Sequence, residues 1–388
     1  MKIAYCLNSI SCTGGMESVT VAKTNALAAA DGNEVYIVVT DHKHGAGPSA
    51  RLDASVRVVD LGVRYYDDDW RSKYHVLKGF FFKRRLHKRR LAAALALIVP
   101  DVVISVGQSE KYMLTDIKGP WVCIRELHYH KDYRRLASAS RSVFYKIAAR
   151  LSDFWDYHCK IGKYDSVVVL TKYDLHNNWK DRKNFLAIPN FVTFRNTDRR
   201  SSLSSKKVIT AGRLAAEKNF SSLICAFSIV AERHPDWILE IYGDGNERRT
   251  LQNLIGQLHL ESSVCLCGST RNVQDKMCAS SIFVLSSVYE GLPLAMLEAM
   301  SCGLPVVSYD CPCGPKDIIT DGVDGYLVPA GDERMLAEKI CSLIENPAKR
   351  AEMGAEAVKK SENYSVDKII PMWMELFERL VAEKHGKC

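Results

Sequence analysis

SSVYEGLPLAMLEAMSCGLPVVS, from Ser286 to Ser308, reads as strand end, loop, helix and second strand. The apolar run Ile282–Leu285 leads into it as a buried strand, and Gly291 and Pro293 mark the loop. Leu294, Leu297, Glu298 and Met300 carry the helix, which Gly303 and Pro305 stop before the next apolar strand. A helix that opens at the end of a buried strand presents free backbone N–H groups to an anion. An acid stands on each side of the loop, Glu290 before it and Glu298 one turn into the helix. Carboxylates accept hydrogen bonds from hydroxyls rather than bind phosphate. Donors beside two acceptors suit a nucleotide-sugar, with its central diphosphate and hydroxyls at both ends.

Glu290-x7-Glu298, with Gly291, Leu292 and Pro293 between, resembles the E-x7-E signature of family 4 glycosyltransferases. The full string EGLPLAMLEAMSCGLPVV carries the resemblance further, as do the GxxDII that begins at Gly314 and the DGxxGYLV that begins at Asp321. Further matches extend from residue 3 to about residue 332. The resemblance implies an α/β protein of the GT-B fold, two Rossmann-like doubly wound domains facing a central cleft, and a retaining sugar transfer.

The 388 residues are too many for one ordinary core and suit two domains. Hydrophobic content of 47% and charged content of 25% are those of a soluble globular protein. No stretch reaches the roughly 20 apolar residues of a membrane span. Lys2–Leu7 enters a strand at once, so no signal peptide is expected, and a cytoplasmic location is. Thirteen cysteines lie mostly in apolar runs without C-x2-C spacing. Cys265-x-Cys267 and Cys311-x-Cys313 lack the second ligand pair of a zinc site, so buried free thiols are expected and no metal. The net charge of +8 favours an anionic partner without naming it.

Along the chain, short β-branched strands alternate with helices. Ile3–Leu7, Val35–Thr40, Val56–Leu61, Val102–Val106, Val122–Ile124 and Val167–Leu170 make the first set. The second is Val208–Ala211, Leu239–Tyr242, Val264–Cys267, Ile282–Ser286, Val306–Tyr309 and Tyr326–Val328. This pattern predicts parallel sheets covered on both faces, with ligands at the carboxyl ends of the strands. Thr193–Lys207 is polar and aperiodic, a linker. The expected boundaries are a first domain at 1–193 for the acceptor, a linker at 194–207 and a nucleotide-sugar domain at 208–369. A C-terminal helix at 370–388 would, by the resemblance, cross back to the first domain.

Other constellations sit at strand ends. Gly14-Gly15-Met16-Glu17 opens the first helix, where missing Cβ atoms let a ligand approach backbone; a tight turn is the plain alternative. It resembles the family's GGxE, which implies a loop over the donor sugar and diphosphate. Arg213 and Lys218 share one loop, a fork and a point charge that can converge on a diphosphate. They resemble GR-x3-EK, although two solvated surface cations would leave the same trace. Gly243, in Tyr242-Gly243-Asp244-Gly245, makes a glycine turn that by resemblance faces the nucleotide. Arg271, in Gly268–Val273, falls where the family meets the nucleobase. Similar strands in the family end in a histidine that reaches the donor; His128 fits that place better than His130, though a lone histidine at a strand end is usually structural.

Lys78 to Arg90 (KGFFFKRRLHKRR) gathers seven cationic side chains around Phe80, Phe81 and Phe82. An interfacial segment on anionic lipid is expected, against a solvated basic face; without a stacking platform or nucleic-acid motif, no nucleic-acid partner is. The expected activity is metal-independent transfer of a hexose or N-acetylhexosamine from a nucleoside-diphosphate sugar, UDP-linked before GDP-linked, to a glycolipid or polysaccharide precursor. The resemblance and the basic segment suggest a lipid-linked acceptor and a site of action on the inner face of the cell membrane. His128, Arg213, Lys218 and Glu290 form the expected catalytic set; the donor set adds Gly14, Gly15, Gly243, Arg271, Gly291, Leu292, Pro293 and Glu298. A nucleotide-sugar epimerase of the same architecture and a catalytically idle membrane-recruiting subunit are the rivals.

Overall fold

Among the described residues, thirteen short strands, most of them apolar at nearly every position, build two wholly parallel sheets. The computed structural model describes residues 1–11, 14–41, 51–65, 73–137, 142–180, 182–194 and 199–386, with the backbone alone at 73–81 and 137. The first sheet holds β1 (Lys2–Leu7), β2 (Glu34–Val39), β3 (Arg57–Asp60), β4 (Val102–Ser105), β5 (Val122–Glu126), β6 (Ser166–Val169) and β7 (Phe185–Ala187), in the order β3-β2-β1-β4-β5-β6-β7. The second holds β8 (Lys207–Ala211), β9 (Ile238–Tyr242), β10 (Val264–Gly268), β11 (Ile282–Leu285), β12 (Val306–Tyr309) and β13 (Gly325–Val328), ordered β10-β9-β8-β11-β12-β13.

Period-two alternation divides each sheet between two cores. Ile3, Tyr5 and Leu7 of β1 pack with Val21 and Leu27 of the first helix, Gly15–Ala29. Ala4 and Cys6 point the other way, onto Leu91 and Leu95 of the long helix Lys73–Ile98. In the second sheet Val208 and Ile282 serve one face and Ile209 and Phe283 the other. Burying each such aliphatic side chain contributes about 1.5–3 kcal/mol before chain entropy is counted.

The order of each sheet reverses once, between β1 and β4 and between β8 and β11, which opens a crevice at the carboxyl ends of those strands. Both crevices face one cleft, as contacts across it show. The Tyr173 N–H donates to Asp317 Oδ1 at 2.9 Å, and a Cβ on Gly291 would strike the His128 carbonyl oxygen.

Several boundaries differ from the sequence reading. β7 was not foreseen, since Phe-Leu-Ala is too short to show alternation; it joins the edge through Val167 paired with Phe185. The last helix runs Val366–His385, four residues earlier than expected, and holds Pro371 inside it. Its Ile369, Ile370, Trp373, Leu376 and Phe377 pack into the core of the first domain, where their burial offsets the one backbone hydrogen bond that proline forgoes. Within the linker, 195–198 lie outside the described residues. Ser201 is already tied to the second domain, its N–H donating to the Cys302 carbonyl at 2.8 Å. The described cysteines are free thiols, most of them buried or partly so, but Cys265 on the edge strand β10 is exposed. Among the described residues no helix is long and apolar enough to cross a membrane.

Candidate active site

At the reversal of the second sheet, the loop after β8 and the loop after β11 are stitched together. Ser286 Oγ donates to the Lys218 carbonyl at 2.8 Å, and the Val288 N–H to the Glu217 carbonyl at 2.8 Å. That stitching places Lys218 Nζ 2.7 Å from Glu290 Oε1, which also accepts from Ser287 Oγ at 2.5 Å. Glu290 is 9% exposed, so this charge pair meets little water. Arg213, 73% exposed, instead pairs with Glu217 at 2.6 Å. The two cations therefore share a loop with each held by its own carboxylate.

Beyond Glu290, Gly291 abuts the first domain and Leu292 and Pro293 are buried. Helix Leu294–Ser301 opens on Pro293 without a side-chain cap, which leaves its first amides uncommitted to any cap. Gly15 lies across from it, its Cβ position 3.8 Å from Leu294 Cδ1. Gly14 accepts the first helix's Ser18 N–H at 3.1 Å, and the Glu17 carboxyl folds over it where a Cβ would stand.

Glu298 is one turn along, its Oε1 accepting from Thr193 Oγ1. Burial pushes its carboxyl up to about 7, with the threonine opposing the shift. Gly243 has φ 145° because the Gly212 carbonyl oxygen occupies the place of a Cβ; the turn nests against the Arg213 loop. Arg271 is exposed after β10.

From the first domain, β5 ends in Arg125 and Glu126, and His128 follows. Glu126 is buried, bonded to a fully buried Lys23 of the first helix, and lies 3.1 Å from His128 Nε2. Burial alone would raise the Glu126 carboxyl; Lys23 and then His128 reverse this and hold it at about 2, so it stays ionised. Lys23 also lies 4.3 Å from the centroid of the Trp373 ring. Glu126 Oε2 has no hydrogen-bond partner among the described residues, an arrangement native proteins keep mainly at functional positions.

His130 is placed differently. With Asp174 and, from the facing domain, Cys313, it puts ligand-type atoms within 4.8 Å of one another. The Asn178 amide nitrogen donates to Asp174 Oδ1 at 2.5 Å and lies 3.1 Å from His130 Nε2 and 3.6 Å from Cys313 Sγ, while His130 Nδ1 accepts from the Asp132 N–H at 3.1 Å, so the donor set fits a hydrogen-bonded junction between domains better than an ion. Burial holds His130 below its ordinary pKa, which keeps it neutral there.

Sequence reasoning overlooked Lys23, Glu126, Ser287, Thr193 and Asn178. Lys23 had a readable signal, for it lies on the buried stripe with Val19, Thr20, Thr24 and Leu27, where a cation needs a buried partner. The others became visible only with the approach of distant segments.

Two parallel α/β domains that close on one cleft at their strand ends form the GT-B architecture. A crystal structure of a Staphylococcus aureus TarM variant with fondaparinux, alpha-GlcNAc-glycerol and UDP superposes with a TM-score of 0.77 at 19% identity, over 97% of this chain and 99% of that one. Residues 194–360, the second domain, match the model of the family described as glycosyl transferases group 1. Over 384 residues the chain is 27% identical to an uncharacterized glycosyltransferase of Haemophilus influenzae, covering 96% of this chain and 98% of the other. Over 221 residues it is 32% identical to the poly(ribitol-phosphate) alpha-N-acetylglucosaminyltransferase of Staphylococcus aureus, covering 56% of this chain and 44% of that protein.

Proposed function

We propose that the protein transfers a hexose or N-acetylhexosamine from a UDP-sugar to a hydroxyl of a glycolipid or polysaccharide precursor, with retention at the anomeric carbon. The observation that carries this reading is the Lys218–Glu290 pair at the reversal of the second sheet, opposite His128. Lys218 turns to the donor's diphosphate and releases Glu290, whose oxygens then accept the sugar's hydroxyls. Arg213 swings from Glu217 to the same phosphates, and the backbone N–H groups of Gly291, Leu292 and Leu294 add neutral donors. Glu298 takes the ribose hydroxyls, and the turns at Gly243 and Arg271 border the nucleoside. The Gly14-Gly15 loop and His128 close the sugar side.

Cleavage of the anomeric C–O bond leaves negative charge on the departing diphosphate. Fixed cations and amides stabilise that charge as it develops, without calling on a metal ion. The relatives support the reading: an N-acetylglucosaminyltransferase is 32% identical over 221 residues, and a UDP-bound structure shares the fold. A screen of nucleotide-sugars, with the free nucleotide and the sugar product both measured, tests it. One UDP-sugar is expected to turn over with an acceptor, and Glu290→Ala to lower the rate about 10²–10³-fold with the fold intact. Undiminished turnover in Glu290→Ala would refute the assignment of Glu290, and an inverted product would refute retention.

A further inference from the structure

Helix Val143–Phe154 is amphipathic in the wrong sense for a packed helix. The side turned to the protein carries Ala149, Ser152 and Asp153, followed by Asp156. Ion pairs clamp that side down, Arg134 to Asp153 at 2.7 Å and Lys111 to Asp156 at 2.7 Å. The opposite stripe is apolar and bare: Phe144 is 85% exposed, Leu151 66%, Phe154 60%, and Val143, Ile147 and Trp155 follow the same face. Large apolar side chains bare along one helix face mark an interaction site.

Charge identifies what meets it. Lys146 and Arg150, both exposed, flank the stripe. Trp155 at its end also lines an open pocket of about 520 Å³ whose walls carry Arg84, Arg85, Lys88 and Lys160 against the single carboxylate of Asp116. These arginines and Lys88 belong to the basic run of the long helix, which the structure divides by task. Lys83 and Arg90 bond carbonyls of the Leu61–Arg64 loop and His87 is buried beside the Tyr65 hydroxyl, whereas Arg84, Arg85 and Lys88 turn to the pocket. Side chains of Lys78–Phe81 lie outside the described residues. The pocket shares Tyr112 and Lys160 with a smaller cavity of about 30 Å³ that reaches Arg125 and Tyr129, the residues flanking Glu126 and His128. Apolar stripe and cationic pocket thus adjoin on the first domain.

We propose that helix Val143–Phe154 with Trp155 inserts into the surface of an anionic phospholipid bilayer, the Arg84, Arg85, Lys88 and Lys160 pocket holding lipid phosphate beside it. Apolar burial supplies depth, and each cation near the surface adds attraction that salt weakens. The surface lies outside the donor site, so its test stands apart from the reading of the reaction.

The test is flotation of the full chain with vesicles of phosphatidylcholine alone or mixed equally with phosphatidylglycerol. The wild type is expected to float with the mixed vesicles and not with phosphatidylcholine. Phe144→Asp with Leu151→Asp, and separately Arg85→Glu with Lys88→Glu, should each reduce partitioning at least about tenfold. All four side chains are outside the cleft and exposed, so melting temperature and vesicle-free donor hydrolysis should not move. Flotation of either pair at wild-type levels would overturn the proposal, as would no wild-type flotation with the mixed vesicles. A wild-type dimer that Phe144→Asp converts to monomer, without vesicle binding, would assign the patch to a second copy of the chain and overturn it too.

Discussion

Glu298 is the residue whose environment most directly writes a pH dependence. Its carboxyl titrates near 7 when folded against an ordinary value of 4.5, because burial penalises the anion. A raised folded value means that the ionised side chain costs stability, and the cost grows as pH climbs from 4.5 to 7. Glu298→Gln should therefore raise the melting temperature more at pH 8 than at pH 5, by the equivalent of about 1–3 kcal/mol. Ribose hydroxyls donate to the ionised form alone in full measure, so nucleotide affinity should fall as pH drops through 7 toward 6. Calorimetry at the two pH values checks both signs, and Glu298→Gln should bind with little pH dependence. Glu290 sits beside a cation instead, and that difference separates two acids which their spacing alone makes look alike.

At the scale of elements, strand–turn–helix units carry the candidate site and were the most legible part of the sequence. Apolar runs such as Val306–Tyr309 declared themselves, since a strand buried on both faces has no polar alternation to blur it. Less legible was what each loop touches. Gly243 read as a ligand turn, whereas what the structure shows is a glycine required by the Gly212 carbonyl oxygen. Helix Val143–Phe154 passed unremarked, because an apolar stripe in a sequence does not announce whether it faces inward or outward. Gly291 belongs to this scale too, as the point where the β11 loop meets the His128 backbone. Gly291→Ala inserts a Cβ into that carbonyl oxygen. A destabilisation of about 1–3 kcal/mol is expected in thermal melts, with a larger proportional loss of transfer, as the cleft walls are forced apart.

For the whole molecule, the last helix returns to the first domain and sets Trp373 over Lys23, whose carboxylate partner Glu126 adjoins His128. The crossing segment was foreseen from a family resemblance; the buried pair beneath it was not, since its members lie 103 residues apart. Lys23→Met should cost about 3–5 kcal/mol by leaving Glu126 buried without its cation, and adding Glu126→Gln should recover part of that in denaturant melts. In the wild type, the Glu126 contribution is present above pH 4.5 and is lost as pH falls toward 2, the direction required of a carboxyl whose folded value is depressed. All of these parts converge on one claim, that the cleft between the two sheets grips a nucleoside diphosphate through Lys218. Titration calorimetry with UDP, on wild type and Lys218→Ala side by side, tests it most directly. The account predicts one site per chain in the wild type and affinity about 10- to 100-fold weaker in Lys218→Ala, the range for losing a charge-assisted hydrogen bond. Equal affinity in the two proteins, or no heat of binding with UDP or GDP in a folded wild type, would contradict it.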